Sequence, residues 1–280
     1  MIFVLLATIF FGVSDSFWKP ILDSHSVIPA MKIRTIISSF VLILITLIFG
    51  KLDQGSLYEY STAIVPSLLS ATAFICLVKA FKKSSVSVVI TINSLTLIVA
   101  QVTAFILFHE VVNFFNYSLV LVLIITSIFL LNGGKLKFNK GIKFAVIASI
   151  LFGISYPLLS IPSNTIGSFQ TGVIQELVLL ISLFIVSWLS PTERSTPNNI
   201  DYFKNINIYI VALGAALGIS LLFYSYTILP VYQVQLICSF VPVIALIISG
   251  MVFKERLTKI QKVGVTASLI ATLLIVTDFV

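Results

Sequence analysis

Charge is scarce in this chain: of its 280 residues, 10% are Asp, Glu, Lys or Arg, while 59% are hydrophobic. A soluble domain carries about 25% charged residues. A water-facing globule would have nowhere to place so much apolar surface, and lipid is the solvent that fits. Cysteine is nearly absent as well. Cys76 and Cys238 both lie inside apolar runs, which suits small buried hydrophobes rather than a disulfide scaffold or metal site. The two histidines, His25 and His109, have no companion His or Cys at metal-ligand spacing. There is no Gly-x-x-x-x-Gly-Lys-Ser/Thr loop, so ATP hydrolysis is not a function of this chain. No acids, histidines or metal ligands converge at one interface, so no enzyme activity and no cofactor is expected. The net charge of +7 arises from Lys and Arg placed between apolar runs, with no basic stripe on a polar scaffold. Nucleic acid is therefore not the expected partner, and the lipid bilayer is.

What is present is a succession of apolar runs about 20 residues long, the length a helix needs to cross roughly 30 Å of hydrocarbon. They predict an all-α integral membrane protein of ten transmembrane helices over 2–18, 29–49, 62–82, 86–108, 114–132, 142–160, 169–189, 206–229, 231–252 and 260–278. Barrel strands would instead alternate in polarity over about ten residues. Asn132-Gly133-Gly134-Lys135-Leu136-Lys137 reads as a turn, and the stretch from Ser190 to Asn199 reads as a solvated loop.

The chain also repeats itself. Phe108-His109-Glu110 recurs as Phe253-Lys254-Glu255, and the same register places Ala80-Phe81 on Ser225-Tyr226 and Ser94 on Ser239. Upstream, Ala7-Thr8-Ile9-Phe10-Phe11-Gly12 answers Ala148-Ser149-Ile150-Leu151-Phe152-Gly153. Two repeats, 1–134 and 135–280, follow. No basic residue precedes the first apolar run, and its partner lies deep in the chain, so that run is expected to be part of the fold. Five crossings per repeat invert the second relative to the first. The charges agree, because Lys79, Lys82 and Lys83 fill one turn whose mate near Leu229-Pro230 holds none. Loops after odd-numbered spans hold every Lys and Arg except Lys51, which puts those loops in the cytoplasm and both termini outside.

The segment from Phe253 to Val276, with Phe-Lys-Glu-Arg-Leu and a Gly-containing apolar tail, resembles the EamA repeat of the drug/metabolite transporter superfamily. Ser239-Phe240-Val241-Pro242 matches that family's Ser-x-x-Pro, Phe11-Gly12 stands where it often has Trp-Gly, and Arg34 stands where it has an early Arg in the second helix. Lys254 replaces the usual Gly, Val111 the usual Arg, and the first repeat lacks the Pro at Leu97. The resemblance implies a ten-helix carrier of two inverted repeats in the cytoplasmic membrane, exporting small metabolites. It also implies cytoplasmic termini, opposite to the charge count.

A carrier needs polar groups between its repeats, away from lipid. The candidate substrate-binding residues are Ser14, Asn93, Tyr156, Glu176, Tyr224, Tyr232, Gln235 and Ser239. The alternative for the hydroxyls and amides is bonding to neighbouring helices or to their own backbone. Glu176, two turns inside span seven, reads as a proton carrier or an ammonium partner, or else as half of a structural ion pair. Asp15 lies near the predicted end of span one and is expected to be solvated. Lys79, Lys82 and Lys83 read as topology determinants, with Lys79 alternatively facing the cavity as the partner of an anionic group. Glu110 and Glu255 read as caps of new helices. Pro66, Pro157 and Pro242 are candidate hinges, and Gly214 and Gly218 a helix-packing pair. The expected function is secondary transport of an amino acid or similar metabolite by alternating access, by a monomer or homodimer. A lipid-linked sugar flippase of the same superfamily, a channel and a structural membrane protein are the alternatives.

Overall fold

The computed structural model describes residues 1–50, 55–109, 140–189, 199–238 and 240–252, together with positions 122, 126, 259–260, 262–263, 266–267 and 270. Among these residues the chain is helical throughout, without a strand. The helices are α1 (Ile2–Ser24), α2 (Val27–Phe49), α3 (Leu57–Lys83), α4 (Val86–Asn93), α5 (Leu95–Phe108), α6 (Lys140–Thr165), α7 (Ser168–Leu189), α8 (Asn199–Lys204), α9 (Ile206–Tyr226), α10 (Val231–Cys238) and α11 (Val241–Val252). Seven stretches are long and apolar enough to cross a membrane. The predicted spans 114–132 and 260–278 lie almost wholly outside the described residues, so ten crossings are not established.

Several boundaries differ from the sequence reading, for local reasons. α1 continues past residue 18 to Ser24 with Pro20 inside it, stabilised near its end by an i,i+4 pair between Lys19 and Asp23 at 3.1 Å. α6 likewise runs through Pro157 and Pro162. Between α6 and α7 the chain turns at Gly167, whose φ of +100° suits a residue without a Cβ. α3 begins with a reciprocal cap in which Ser56 Oγ accepts from the Glu59 amide at 3.3 Å, while Glu59 Oε2 accepts from the Ser56 amide at 2.6 Å. Ser56→Ala is expected to cost about 1 kcal/mol, read as a lower midpoint in thermal unfolding. At the other end of α3, Lys82 donates to the Leu22 and His25 carbonyls, so this cation also caps α1.

Predicted spans four and nine are each broken, at matching positions. Span four divides at Ser94, where i→i+3 bonds tighten the helix: the Ser94 amide donates to Thr91 O at 3.3 Å and the Leu97 amide to Ser94 O at 3.2 Å. Span nine divides after Cys238, with the Phe240 amide donating to Ile237 O at 3.2 Å. There Pro242 has no amide hydrogen to continue the ladder.

The two halves cross each other with their roles exchanged. Gly12 of α1 lies so close to α11 that an added Cβ would stand 2.6 Å from Ile244 Cγ2. Its repeat mate, Gly153 of α6, approaches α5, and a Cβ there would stand 2.4 Å from Val99 Cβ. Val99 and Ile244 are themselves mates, in the register that pairs Ser94 with Ser239. Hydrogen bonds repeat the pattern. Thr8 Oγ1 donates to Val4 O at 2.7 Å and reaches Ile237 O at 3.4 Å, while its mate Ser149 donates to Ala145 O at 2.8 Å and Ile92 O at 3.0 Å. Ile92 and Ile237 are again mates. A contact made twice with partners exchanged defines a pseudo-two-fold. Each broken helix is thus held at its break by a hydroxyl from the opposite half. α9 packs on α1 through Gly214, where a Cβ would meet Phe10 O at 3.0 Å, and Gly218, where it would meet the Phe11 ring at 2.9 Å. These glycines serve close helix packing.

Candidate functional site

The helices enclose a partly open cavity with an empty volume of about 1010 Å³, and every described helix except α8 contributes to its wall. That figure includes the solvent at its open mouth. Both helix breaks reach the cavity, through Asn93, Ser94 and Thr96 on one side and Cys238, Val241 and Pro242 on the other. Its apolar lining includes the rings of Phe11, Phe74, Phe152 and Tyr156 beside aliphatic side chains. The Phe152 and Tyr156 rings lie parallel, 5.0 Å apart.

Acidic and basic side chains enter the wall from three helices: Asp15 from α1, Arg34 from α2 and Glu176 from α7. Glu176 is 2% exposed and Arg34 3%, and a charge so enclosed needs compensation. Each supplies it to the other. Arg34 Nη1 donates to Oε1 of Glu176 at 2.8 Å and to Oε2 at 2.7 Å, and Ser38 Oγ adds a bond to Oε2. The Arg34 guanidinium also lies over the Phe74 ring, 4.8 Å from its centre, where a cation is favoured. Arg34 Nε finds no acceptor among the described residues. Beside this pair, Gln175 Nε2 donates to Ser70 Oγ at 2.6 Å, and Gln175 Oε1 has no donor among the described residues.

Asp15 requires a correction. Because α1 extends to Ser24, Asp15 stands more than two turns from either helix end and faces the cavity. It is not the solvated group that a helix ending at residue 18 would give. Among the described residues it forms no hydrogen bond and no ion pair.

The remaining expectations divide. Ser14, Asn93, Tyr156, Glu176 and Gln235 all line the cavity. Ser14 Oγ donates to Val211 O at 3.2 Å, Asn93 Oδ1 accepts from Thr96 at 3.2 Å, and Gln235 donates to the Tyr226 hydroxyl. Tyr224 and Tyr232 do not line it. The Tyr224 ring packs edge-on against Phe3 at 5.0 Å and stacks with Phe169 at 6.3 Å, near the start of α1. Tyr232 accepts from Gln101 through its carbonyl and from Gln233 through its hydroxyl. Ser239, Glu110 and Glu255 lie outside the described residues. Arg34 and Asp15 are the residues the candidate set omitted. Arg34 carried a signal, as a cation seven residues into α2.

Several buried hydroxyls are satisfied within their own helices, as Thr46 is by Leu42 O at 2.8 Å and Ser220 by Ala216 O at 2.9 Å. Their role is structural.

Comparison with known proteins places this architecture. No curated protein matches the chain. A solved crystal structure superposes with a TM-score of 0.66 at 14% identity, covering 96% of this chain and 98% of its own. At that identity the likeness shows the fold alone. A family model described as the EamA-like transporter family, whose members are transporters rather than enzymes, matches residues 1–133 and again 139–277. The apolar helices of a multi-pass membrane protein, the two matched segments and the shared fold agree, and the chain belongs to the EamA-like transporter family of the drug/metabolite transporter superfamily.

Proposed function

We propose that this protein is a secondary carrier that exports a small metabolite bearing an amino group, an amino acid or similar compound, across the cytoplasmic membrane. The two repeats, 1–134 and 135–280, rock about the pseudo-two-fold and expose the cavity to each side in turn. The observation that carries this reading is the meeting of both helix breaks at one cavity wall. Broken helices in corresponding positions of two repeats mark the substrate site in carriers built this way, and i→i+3 segments inside helices are natural hinges.

Cys238 offers a direct test, because it lines the cavity and bears a free thiol, whereas Cys76 does not line it. In proteoliposomes of the Cys76→Ala protein, a small permeant maleimide should block counterflow by occupying the cavity at Cys238. The further substitution Cys238→Ala should make counterflow resistant. Unchanged counterflow after full labelling of Cys238 would place the transport path elsewhere.

A further inference from the structure

The cavity carries an uneven charge. Asp15, Arg34 and Glu176 are the Asp, Glu, Lys and Arg residues in its wall. Arg34 gives Nη1 to both carboxylate oxygens of Glu176, and the two are neutral as a unit. Asp15 remains, with no hydrogen bond and no ion pair within 4.0 Å among the described residues, and with Arg34 attracting it from farther off. An unpaired carboxylate in a low-dielectric wall is costly, and the same low dielectric strengthens its attraction for any cation that enters. A second acceptor lines the same cavity. Gln175 is 6% exposed, and its Oε1 lacks a donor among the described residues. The rings of Phe11, Phe74, Phe152 and Tyr156 line the cavity too, surfaces that attract cations as well as apolar groups.

We infer that the cavity selects an organic cation, an ammonium group attached to an apolar or aromatic body and not accompanied by a carboxylate. The ammonium binds Asp15 and donates to Gln175, and the body lies against the rings. A zwitterion is disfavoured because its carboxylate would enter a wall whose one cation already gives Nη1 to both oxygens of Glu176. Like charges brought together at a binding site are strongly discriminated against. This inference rests on the reading of the cavity as the transport site and narrows that reading from metabolites with an amino group to amines.

The test uses four probes with one ring: 2-phenylethylamine, phenylalanine, 3-phenylpropanoate and 2-phenylethanol. Each is titrated into the purified full-length protein, with affinity read from the rise in melting temperature and by calorimetry. The amine should bind at least about tenfold more tightly than phenylalanine, and the anion should not bind. Asp15→Asn, which keeps the side chain's size, should reduce amine affinity to that of the neutral alcohol, while Asp15→Glu should retain the preference. The ligand-free melting temperature of each variant separates loss of the site from loss of the fold.

Phenylalanine binding as tightly as the amine would overturn the proposal, because Arg34 would then be available to a carboxylate. So would amine binding unaffected by Asp15→Asn, or no binding by any of the four probes. Failure of the carrier reading has a different signature. The amine would bind in an Asp15-dependent manner but show no counterflow, leaving a cation-binding site in a protein that does not carry it.

Discussion

Arg34→Met should lower the unfolding free energy by about 3–5 kcal/mol, because it leaves the Glu176 carboxylate buried without its cation. Both partners are almost completely enclosed, so solvent cannot take over the role of the missing charge. Ser38 would remain as a single neutral donor. Glu176→Gln should destabilise similarly, leaving the guanidinium with the Phe74 ring and the more distant Asp15 carboxylate. The diagnostic experiment is the double variant Arg34→Met/Glu176→Leu. Replacing a whole buried pair with apolar groups is often neutral or stabilising by about 1–4 kcal/mol. The double variant should therefore melt above either single one, in detergent or nanodiscs. If the single variants melt within about 1 kcal/mol of the parent, the pair is solvated and the enclosed geometry is wrong.

The second large effect lies where the halves cross. Gly153→Ala should destabilise more than Gly12→Ala, although the two positions are repeat mates. At Gly153 the new methyl would stand 2.4 Å from Val99 Cβ and 2.9 Å from the Thr96 carbonyl. Neither atom can move away by changing rotamer. At Gly12 the close atoms are Ile244 Cγ2 and Cβ at 2.6 and 2.7 Å, with the nearest backbone atom 3.3 Å away. Overpacking of this kind costs about 1–3 kcal/mol, and Gly153 belongs at the upper end of that range. Val99→Gly should restore part of the loss in the Gly153→Ala background, a coupling that a double-mutant cycle measures directly. Thr96 and Phe152 also line the cavity, so separating these helices should weaken probe binding as well as stability.

The sequence made the helices legible because lipid imposes a length on apolar runs, and it made the two-part plan legible because repeat mates survive at Ala7–Gly12 and Ala148–Gly153. It did not show where α1 ends. Lys19-Pro20 reads locally as a stop, yet the helix passes through it, and that one misplaced boundary removed Asp15 from the candidate site. Glu176 was conspicuous as a carboxylate deep in an apolar helix. Its partner was not, because pairing with Arg34 depends on α2 meeting α7 across more than a hundred residues of chain. Tyr224 and Tyr232 were singled out by residue type. Which way a tyrosine faces on a helix that is apolar all round is decided by the neighbours it packs against, and Tyr224 found Phe3 and Phe169. The breaks at Ser94 and after Cys238 had one visible cause, Pro242, and one hidden in backbone hydrogen bonding.

The register that pairs Gly12 with Gly153 also pairs Asp15 with Tyr156, and both face the cavity. In an assembly of two identical five-helix chains, whatever one copy contributes beside the symmetry axis the other contributes too. Such a dimer would have either two carboxylates, repelling each other, or two phenols and no charge. Joining the halves in a single polypeptide removes that constraint. Each position can then be chosen separately, and the chamber can hold an odd number of charges, a state that perfect symmetry forbids.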